Sequence, residues 1–222
     1  MFDTQTEFLN RYDAGRQLAD ALAHLKEENP LVLALPRGGV PVAFEVAKAL
    51  RAPLDLLMVR KLGAPGHPEL GIGAVVDGPE PQLVINEEAM EIVQASRAYV
   101  NAEMERQLAE IERRRAFYFA GREPVPLAGR TAIVVDDGIA TGGTVRVALK
   151  ALHRTEAARI VLAIPVAPRD ALDSLHDEVD ELVCLKVPWD FHAVGLHYAS
   201  FDQTNDSEVI DCLNAAREWQ SI

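Results

Sequence analysis

The sequence is short of cysteine, of positive charge and of long apolar runs, and each shortage closes a class of function. Its two cysteines, Cys184 and Cys212, have no metal-ligand spacing and fall in an expected strand and an expected helix. They read as buried thiols in a reducing compartment. No histidine is placed nearby in sequence to activate either as a nucleophile. Lys and Arg total 22 against 34 Asp and Glu, a formal charge of −12. A field of that sign repels phosphate backbones and argues against general nucleic-acid binding, so any small polyanionic ligand must be gripped by local donors. No apolar run approaches the roughly 20 residues of a membrane span, and "MFDTQTEFLNRYDAG" lacks the basic and apolar regions of a signal peptide. A cytoplasmic protein is expected. Internal repeats and low-complexity linkers are missing as well, which leaves 222 residues for one α/β domain with an elaboration.

What is present is an alternation of apolar runs and helical periods. Residues 6–26 carry Phe8, Tyr12, Leu18, Leu22 and Leu25 near helical spacing. "LVLAL" (31–35) ends at Pro36 and suits a strand buried on both faces; "VPVAFEVAKAL" (40–50) reads as helix and "PLDLLMV" (53–59) as the next strand. A Gly/Pro-rich stretch follows, then short strand candidates at 72–76 and 82–85. Residues 87–119 predict one long helix with a Val93, Val100, Met104, Leu108, Ile111 stripe. Arg113, Arg114 and Arg115 in its last turns read as solvated cations favoured by the helix dipole. Strands at 131–135, 159–166 and 181–187 alternate with helices at 144–153 and 168–176, which implies a mostly parallel sheet flanked by helices. The aromatic tail from 188 departs from this pattern: loops and a short strand, then a closing helix capped by Asn205 or Asp206.

Ligands of open α/β sheets bind at the carboxyl ends of strands, and three such ends carry unusual residues: "PRGG" (36–39), "RKLGAPGHPE" (60–69) and "DDGIATGGT" (136–144). In the last, Gly138, Gly142 and Gly143 let backbone N–H groups converge ahead of a helix N-terminus, and Thr141 and Thr144 add hydroxyls. This is a phosphate cradle without a lysine. The Gly-Lys-Ser/Thr ending of nucleotide triphosphatases is missing, and no G-x-G-x-x-G occurs anywhere. Asp136 and Asp137 suit sugar hydroxyls or Mg²⁺, both of which want anionic oxygen. A plain turn explains one capping acid but not two acids and the Gly/Thr loop together.

Four apolar residues, two acids and a loop ending in Gly-Gly-Thr resemble the 5-phosphoribosyl-1-pyrophosphate (PRPP) signature of type I phosphoribosyltransferases. The resemblance implies that Asp136 and Asp137 hold the ribose hydroxyls, and Mg²⁺ directly or through those hydroxyls or water, and that Ala140, Thr141, Gly142, Gly143 and Thr144 cradle the 5′-phosphate. "LALPRGGVPVAFEVAKAL" is similar to the family's pyrophosphate loop, with Arg37, Gly38 and Gly39 as ligands and a cis peptide at the pair matching Arg37 and Gly38. "VRKLGAPGHPELGIGAV" resembles the position of the mobile catalytic loop, with Arg60 and Lys61 neutralising the departing pyrophosphate. That loop is short here and lacks the Ser-Tyr pair of some branches; His67 and Glu69 read as ordinary loop residues or as contacts to the leaving group. "LPRGG", "RKLGAPGHPELGIGA", "VDDGIATG" and "VGLHYASF" together resemble a bacterial branch of the family.

The resemblance implies a single domain over 1–222, with a core at about 27–187 and a small hood from about 188–222, helped by the N-terminal helix. It implies transfer of phosphoribose from PRPP to a nitrogenous acceptor, purine-like, with Mg²⁺, with Asp137 as general base. Trp189 and Phe191 either stack on the acceptor or pack the tail, while Tyr198 and Phe201 lean towards core. Family members are often dimers, and the 87–119 helix is the surface suggested for one. Rival readings are a PRPP-binding regulator with little catalysis, and a sugar-phosphate hydrolase or phosphorylase on the same cradle. A PRPP synthetase needs an ATP site, and none is visible.

Overall fold

The computed structural model describes residues 7–77, 81–120 and 123–220, with only the backbone described at 68, 69 and 220. Five strands form the central sheet: β1 (Pro30–Ala34), β2 (Leu54–Leu56), β6 (Thr131–Val135), β7 (Arg159–Val166) and β8 (Glu181–Lys186). Their order is β2-β1-β6-β7-β8 and every pairing is parallel. From β1 the chain first adds β2 on one side and later β6 on the other. The crevice beyond the carboxyl ends of β1 and β6 is therefore the switch point where open α/β sheets take ligands. Register places Ala34 opposite Val135, so the chain leaves both strands level, at Leu35 and at Asp136.

The apolar runs are continuous because both faces are covered. Val32, Ala34, Ile133, Val135, Val161 and Ala163 join one core with α1 (Arg11–Ala21) and α2 (Gly39–Leu50). Leu31, Leu33, Ala132, Val134, Leu162 and Ile164 point the other way. They meet α5 (Gly143–Leu152) and α6 (Arg169–Asp173). The closing helices, α7 (Asp206–Ala215) and α8 (Arg217–Gln220), lie on the first face, with α7 packed against α2. Cys212 is buried there, while Cys184 is half-buried on β8; burial pushes each thiol up to about 11.

Four expectations are corrected. The first helix begins at Arg11, because Asn10 is extended and its side chain accepts from the Asp13 N–H. Phe8 instead bridges Tyr198, and Thr6 lies outside the described residues. The 53–59 strand stops at Leu56; Asp77 then pins the chain, accepting from the Met58 N–H at 2.7 Å while its own N–H donates to the Met58 carbonyl. Beyond that point lies an antiparallel sheet of β3 (Val59–Ala64), β4 (His67–Val76) and β5 (Gln82–Ile85), where a catalytic loop was expected. Glycine and proline make the stretch read as a loop, but buried Leu62, Ile72 and Val75 anchor it as a hairpin turning at Gly66, φ +74°. Finally, 87–119 divides into α3 (Glu87–Ile92) and α4 (Arg97–Phe119), with Gln94 at φ +52° and Ser96 capping α4 through the Tyr99 N–H. In the tail, the helix cap is Asn205, which accepts from the Glu208 N–H.

Candidate active site

The switch-point crevice is built by two strand ends that touch. A Cβ added to Gly38 would lie 2.1 Å from Asp137 Oδ2, and one added to Gly39 would lie 2.7 Å from the Val135 carbonyl oxygen. Only glycine allows the 36–39 turn to close on the acidic pair. The cis peptide stands between Pro36 and Arg37, one bond earlier than the family resemblance implies. Arg37 reaches Asp206 of α7 at 3.5 Å.

Asp136 and Asp137 follow β6 directly, and Asp136 Oδ1 accepts from the Asp137 N–H at 2.9 Å. Burial raises both acids above the ordinary carboxylate range, and for Asp136 the adjacent charge of Asp137 adds to the rise. Arg11 opposes this. Its Nε donates to Asp137 Oδ2 at 2.8 Å, with the two side chains 11% and 15% exposed. Its guanidinium lies 3.8 Å from the Phe201 ring centre and donates to the Asp202 carbonyl at 2.6 Å. Asp137 is thus the member of the pair with a cation at its carboxylate. Tyr198 Oη donates to its carbonyl.

The loop then carries Gly138, Ala140 and Thr141 to Gly142, which sits at φ +76° and opens α5 with no side-chain cap. The first N–H groups of α5 have no intrahelical partner and carry the positive end of its dipole. Thr141, Gly143 and Thr144 are exposed around it, so an anion reaches them without rearrangement.

Two cavities flank the acids. One of about 310 Å³ is lined by Pro36, Arg60, Arg114, Tyr118, Asp136 and Thr144, among others. The other, about 440 Å³, is lined by Arg11, Arg37, Gly38, Asp136, Asp137, Val194, Phe201, Gln203 and Thr204. Asp136 belongs to both. Residues predicted from three distant stretches of sequence therefore converge here: 36–39, Arg60 and 136–144.

Other expected residues lie elsewhere. Lys61 is exposed and alternates away from Arg60 along β3. His67 is exposed on the hairpin, and the side chain of Glu69 is outside the described residues. Trp189 is 96% exposed and lines neither cavity. Phe191 is half-buried, stacked on His197 and packed against the Phe8, Val166, Tyr198 cluster. The aromatic lining the larger cavity is Phe201.

Sequence reasoning missed Arg11 and misread the arginine triplet. Arg11 gave no signal beyond its place at the start of a helix. Arg115 is half-buried, with NH2 on Asp55 at 2.9 Å and NH1 on Asp77 at 2.6 Å, and it binds β2 and the foot of β4 to α4. Burial pushes Asp77 up to about 6 against the pull of that guanidinium. Arg114 lines the smaller cavity, and Arg60 Nε donates to Gln107 of the same helix at 3.0 Å. Among the described residues no cluster of three or more His, Cys, Asp or Glu could hold a metal alone. No helix among them is long and apolar enough to cross a membrane.

The family described as "Phosphoribosyl transferase domain" matches residues 5–200. The chain is 47% identical over 209 residues to "Putative phosphoribosyl transferase Rv0571c" of Mycobacterium tuberculosis H37Rv, covering 94% of this chain and 47% of that one. The protein MT0597 of strain CDC 1551, described in the same words, gives the same figures. The chain thus spans about half the length of the curated relatives it matches. The crystal structure of TT1426 from Thermus thermophilus is 42% identical, with a TM-score of 0.81, over 96% of this chain and 99% of that chain. With more than half its length matched and its parallel sheet carrying the acids and the cradle at the switch point, the chain belongs to the phosphoribosyl transferase domain family.

Proposed function

We propose that the protein transfers the 5-phosphoribosyl group of PRPP to a nitrogenous acceptor, a purine-like base, and releases pyrophosphate. The observation that carries this reading is that two cavities meet at Asp136, one bordered by Arg60, Arg114 and Thr144 of α5, the other by Arg11, Arg37, Phe201, Gln203 and Thr204. A displacement needs its leaving group and its nucleophile on opposite sides of the reacting carbon. Placing the ribose over Asp136 and Asp137 puts pyrophosphate between the smaller cavity and the 36–39 turn, and the acceptor beside Phe201 in the larger.

In this arrangement the 5′-phosphate takes the N–H groups of Ala140, Thr141, Gly142, Gly143 and Thr144. The C–O bond to pyrophosphate breaks as the bond from the acceptor nitrogen forms. Positive charge developing on the ribose faces the acidic pair, and negative charge on the leaving group faces Arg37, Gly38, Gly39 and Arg60. Arg11 favours the ionised form of Asp137 against the effect of burial, and Asp137 accepts the proton that the acceptor nitrogen loses. The two carboxylates fit Mg²⁺ as hard oxygen donors, held jointly with water and the ligand's own phosphates. When bound, the ion would neutralise the diphosphate. Phe201 supplies the flat face for a heterocycle, and Gln203 and Thr204 supply a polar edge. Trp189 and Phe191 contribute to the surface and the packing of the C-terminal hood. Of the expected hood, the stretch 194–204 borders the larger cavity, whereas α1, α7 and α8 pack into the core beside the sheet.

A second reading is favoured by the Arg11–Asp137 ion pair, which already occupies the proposed base: a PRPP-binding regulator with little turnover. Pyrophosphate release from PRPP and Mg²⁺, measured with a panel of purines, pyrimidines and amines, separates the two. Acceptor-dependent release supports the transferase. Tight PRPP binding with no release under any acceptor supports the regulator, and release without an acceptor indicates a hydrolase.

A further inference from the structure

We propose that Arg114 of α4 is a pyrophosphate ligand, the third arginine of a diphosphate subsite completed by Arg37 and Arg60; this rests on the transferase reading above. Arg114 lines the 310 Å³ cavity with Arg60 and Pro36, and also a neighbouring one of about 270 Å³ with Arg37 and Arg113. It is therefore the cation common to the two spaces on either side of the 36–39 turn. A diphosphate presents two linked anionic groups, and planar guanidinium forks suit such oxygens.

The geometry is held in place by the helix. Gln107, Ile111, Arg114 and Tyr118 follow one another at three- and four-residue spacing and share a face. Gln107 holds Arg60 and is braced by Glu103 at 2.8 Å. Ile111 is buried, and Arg115, locked between Asp55 and Asp77, fixes the rotation of the helix. Tyr118 Oη donates to Asp206 at 2.6 Å, the same carboxylate that Arg37 approaches. The acid of the smaller space, Asp206, is thus already engaged. The remaining partner is Glu110. It takes both Arg113 nitrogens, Nε and NH2, at 2.8 and 2.9 Å, but only Nε of Arg114, at 2.8 Å. An exposed ion pair of that kind holds a side chain weakly enough for a stronger anion to compete.

Calorimetric titration with inorganic pyrophosphate and Mg²⁺, and separately with ribose 5-phosphate, tests this on wild type, Arg114→Ala, Arg114→Lys and Arg97→Ala. Arg97 is exposed on the first turn of α4 and lines neither cavity, so its loss controls for net charge. Arg114→Ala is expected to weaken pyrophosphate roughly tenfold to a hundredfold, the worth of a charged hydrogen-bond pair. Arg114→Lys should recover only part, since it restores charge without the fork. Ribose 5-phosphate should change by no more than about twofold, as for a neutral surface change. Pyrophosphate affinity in Arg114→Ala equal to that in Arg97→Ala overturns the proposal, as does a wild type that does not bind pyrophosphate. Loss of the ribose 5-phosphate signal in wild type, with the Arg114 effect intact, instead overturns the donor reading and leaves the diphosphate subsite standing.

Discussion

The loop after β6 and the arginine-bearing face of α4 border the same crevice, yet they are specified in opposite ways. The loop is local. Its acids, glycines and threonines are consecutive, and their roles follow from a strand feeding a helix. The α4 face is tertiary. Arg113, Arg114 and Arg115 are adjacent in sequence, but Arg113 is held by both oxygens of Glu110, Arg114 shares Glu110 through one nitrogen and lines a cavity, and Arg115 meets a buried pair of aspartates. What separates the three fates is the 100° turn between successive helical residues, read against neighbours that come from β2 and β4. Identical side chains thus become solvent, ligand or clamp according to what packs beside the helix.

Substitutions in the two regions should therefore fail differently, the loop in chemistry and the helix in stability or leaving-group binding. The largest effect is expected from Asp137→Asn, which keeps the shape but removes the base. Turnover should fall roughly a hundredfold to ten-thousandfold with a modest change in PRPP affinity, measured by steady-state kinetics beside calorimetry. Unchanged turnover would remove Asp137 from the mechanism.

On the helix, Arg115→Ala leaves Asp55 and Asp77 buried without their cation, and chemical denaturation should show a loss of about 3 kcal/mol or more. A loss below about 0.5 kcal/mol, typical of an exposed residue, would mean that α4 is not clamped as described. Arg114→Ala, one residue earlier, should leave stability nearly unchanged, which sharpens the contrast within the triplet.

Arg11→Ala should act on pH dependence as well as on folding, since the pair it breaks is only 11% and 15% exposed. Burial raises Asp137 and Arg11 lowers it, so removing the guanidinium moves the folded-state pKa further up. The carboxylate then forms only at higher pH, and the acid limb of the turnover profile shifts to the alkaline side. An unmoved limb would show that Arg11 does not tune this acid. The smallest effect is expected for Trp189→Ala. Because that ring is 96% exposed, the acceptor KM should change by no more than about twofold, whereas Phe201→Ala should raise it clearly.

The same contrast explains what the sequence made legible. Runs such as 31–35 and 131–135 are apolar at every position because two cores flank the sheet, so the parallel architecture could be read directly. The acids and the Gly/Thr cradle were equally plain, being contiguous and chemically unusual. The strand candidates at 72–76 and 82–85 fall within β4 and β5, but β3 and the start of β4 were hidden because their glycines and prolines mimic a loop, and Leu62 alone shows no strand period. The break at residues 93–96 was hidden because apolar spacing continues across it, and Ser96 works as a cap only once Gln94 has turned the chain to positive φ. Arg11 and Arg114 lie 126 and 23 residues from Asp137 in sequence, and nothing local to either residue marks the meeting.

The central claim is that one ribose phosphate spans the crevice, with its phosphate on the start of α5 and its hydroxyls on the acidic pair. A crystal structure with PRPP and Mg²⁺ tests it directly. The account predicts the 5′-phosphate against the N–H groups of residues 140–144, the ribose hydroxyls within hydrogen-bonding reach of Asp136 or Asp137, and the diphosphate between Arg60, Arg114 and the 36–39 turn. PRPP bound elsewhere, or a crevice left empty at saturating ligand, would contradict it.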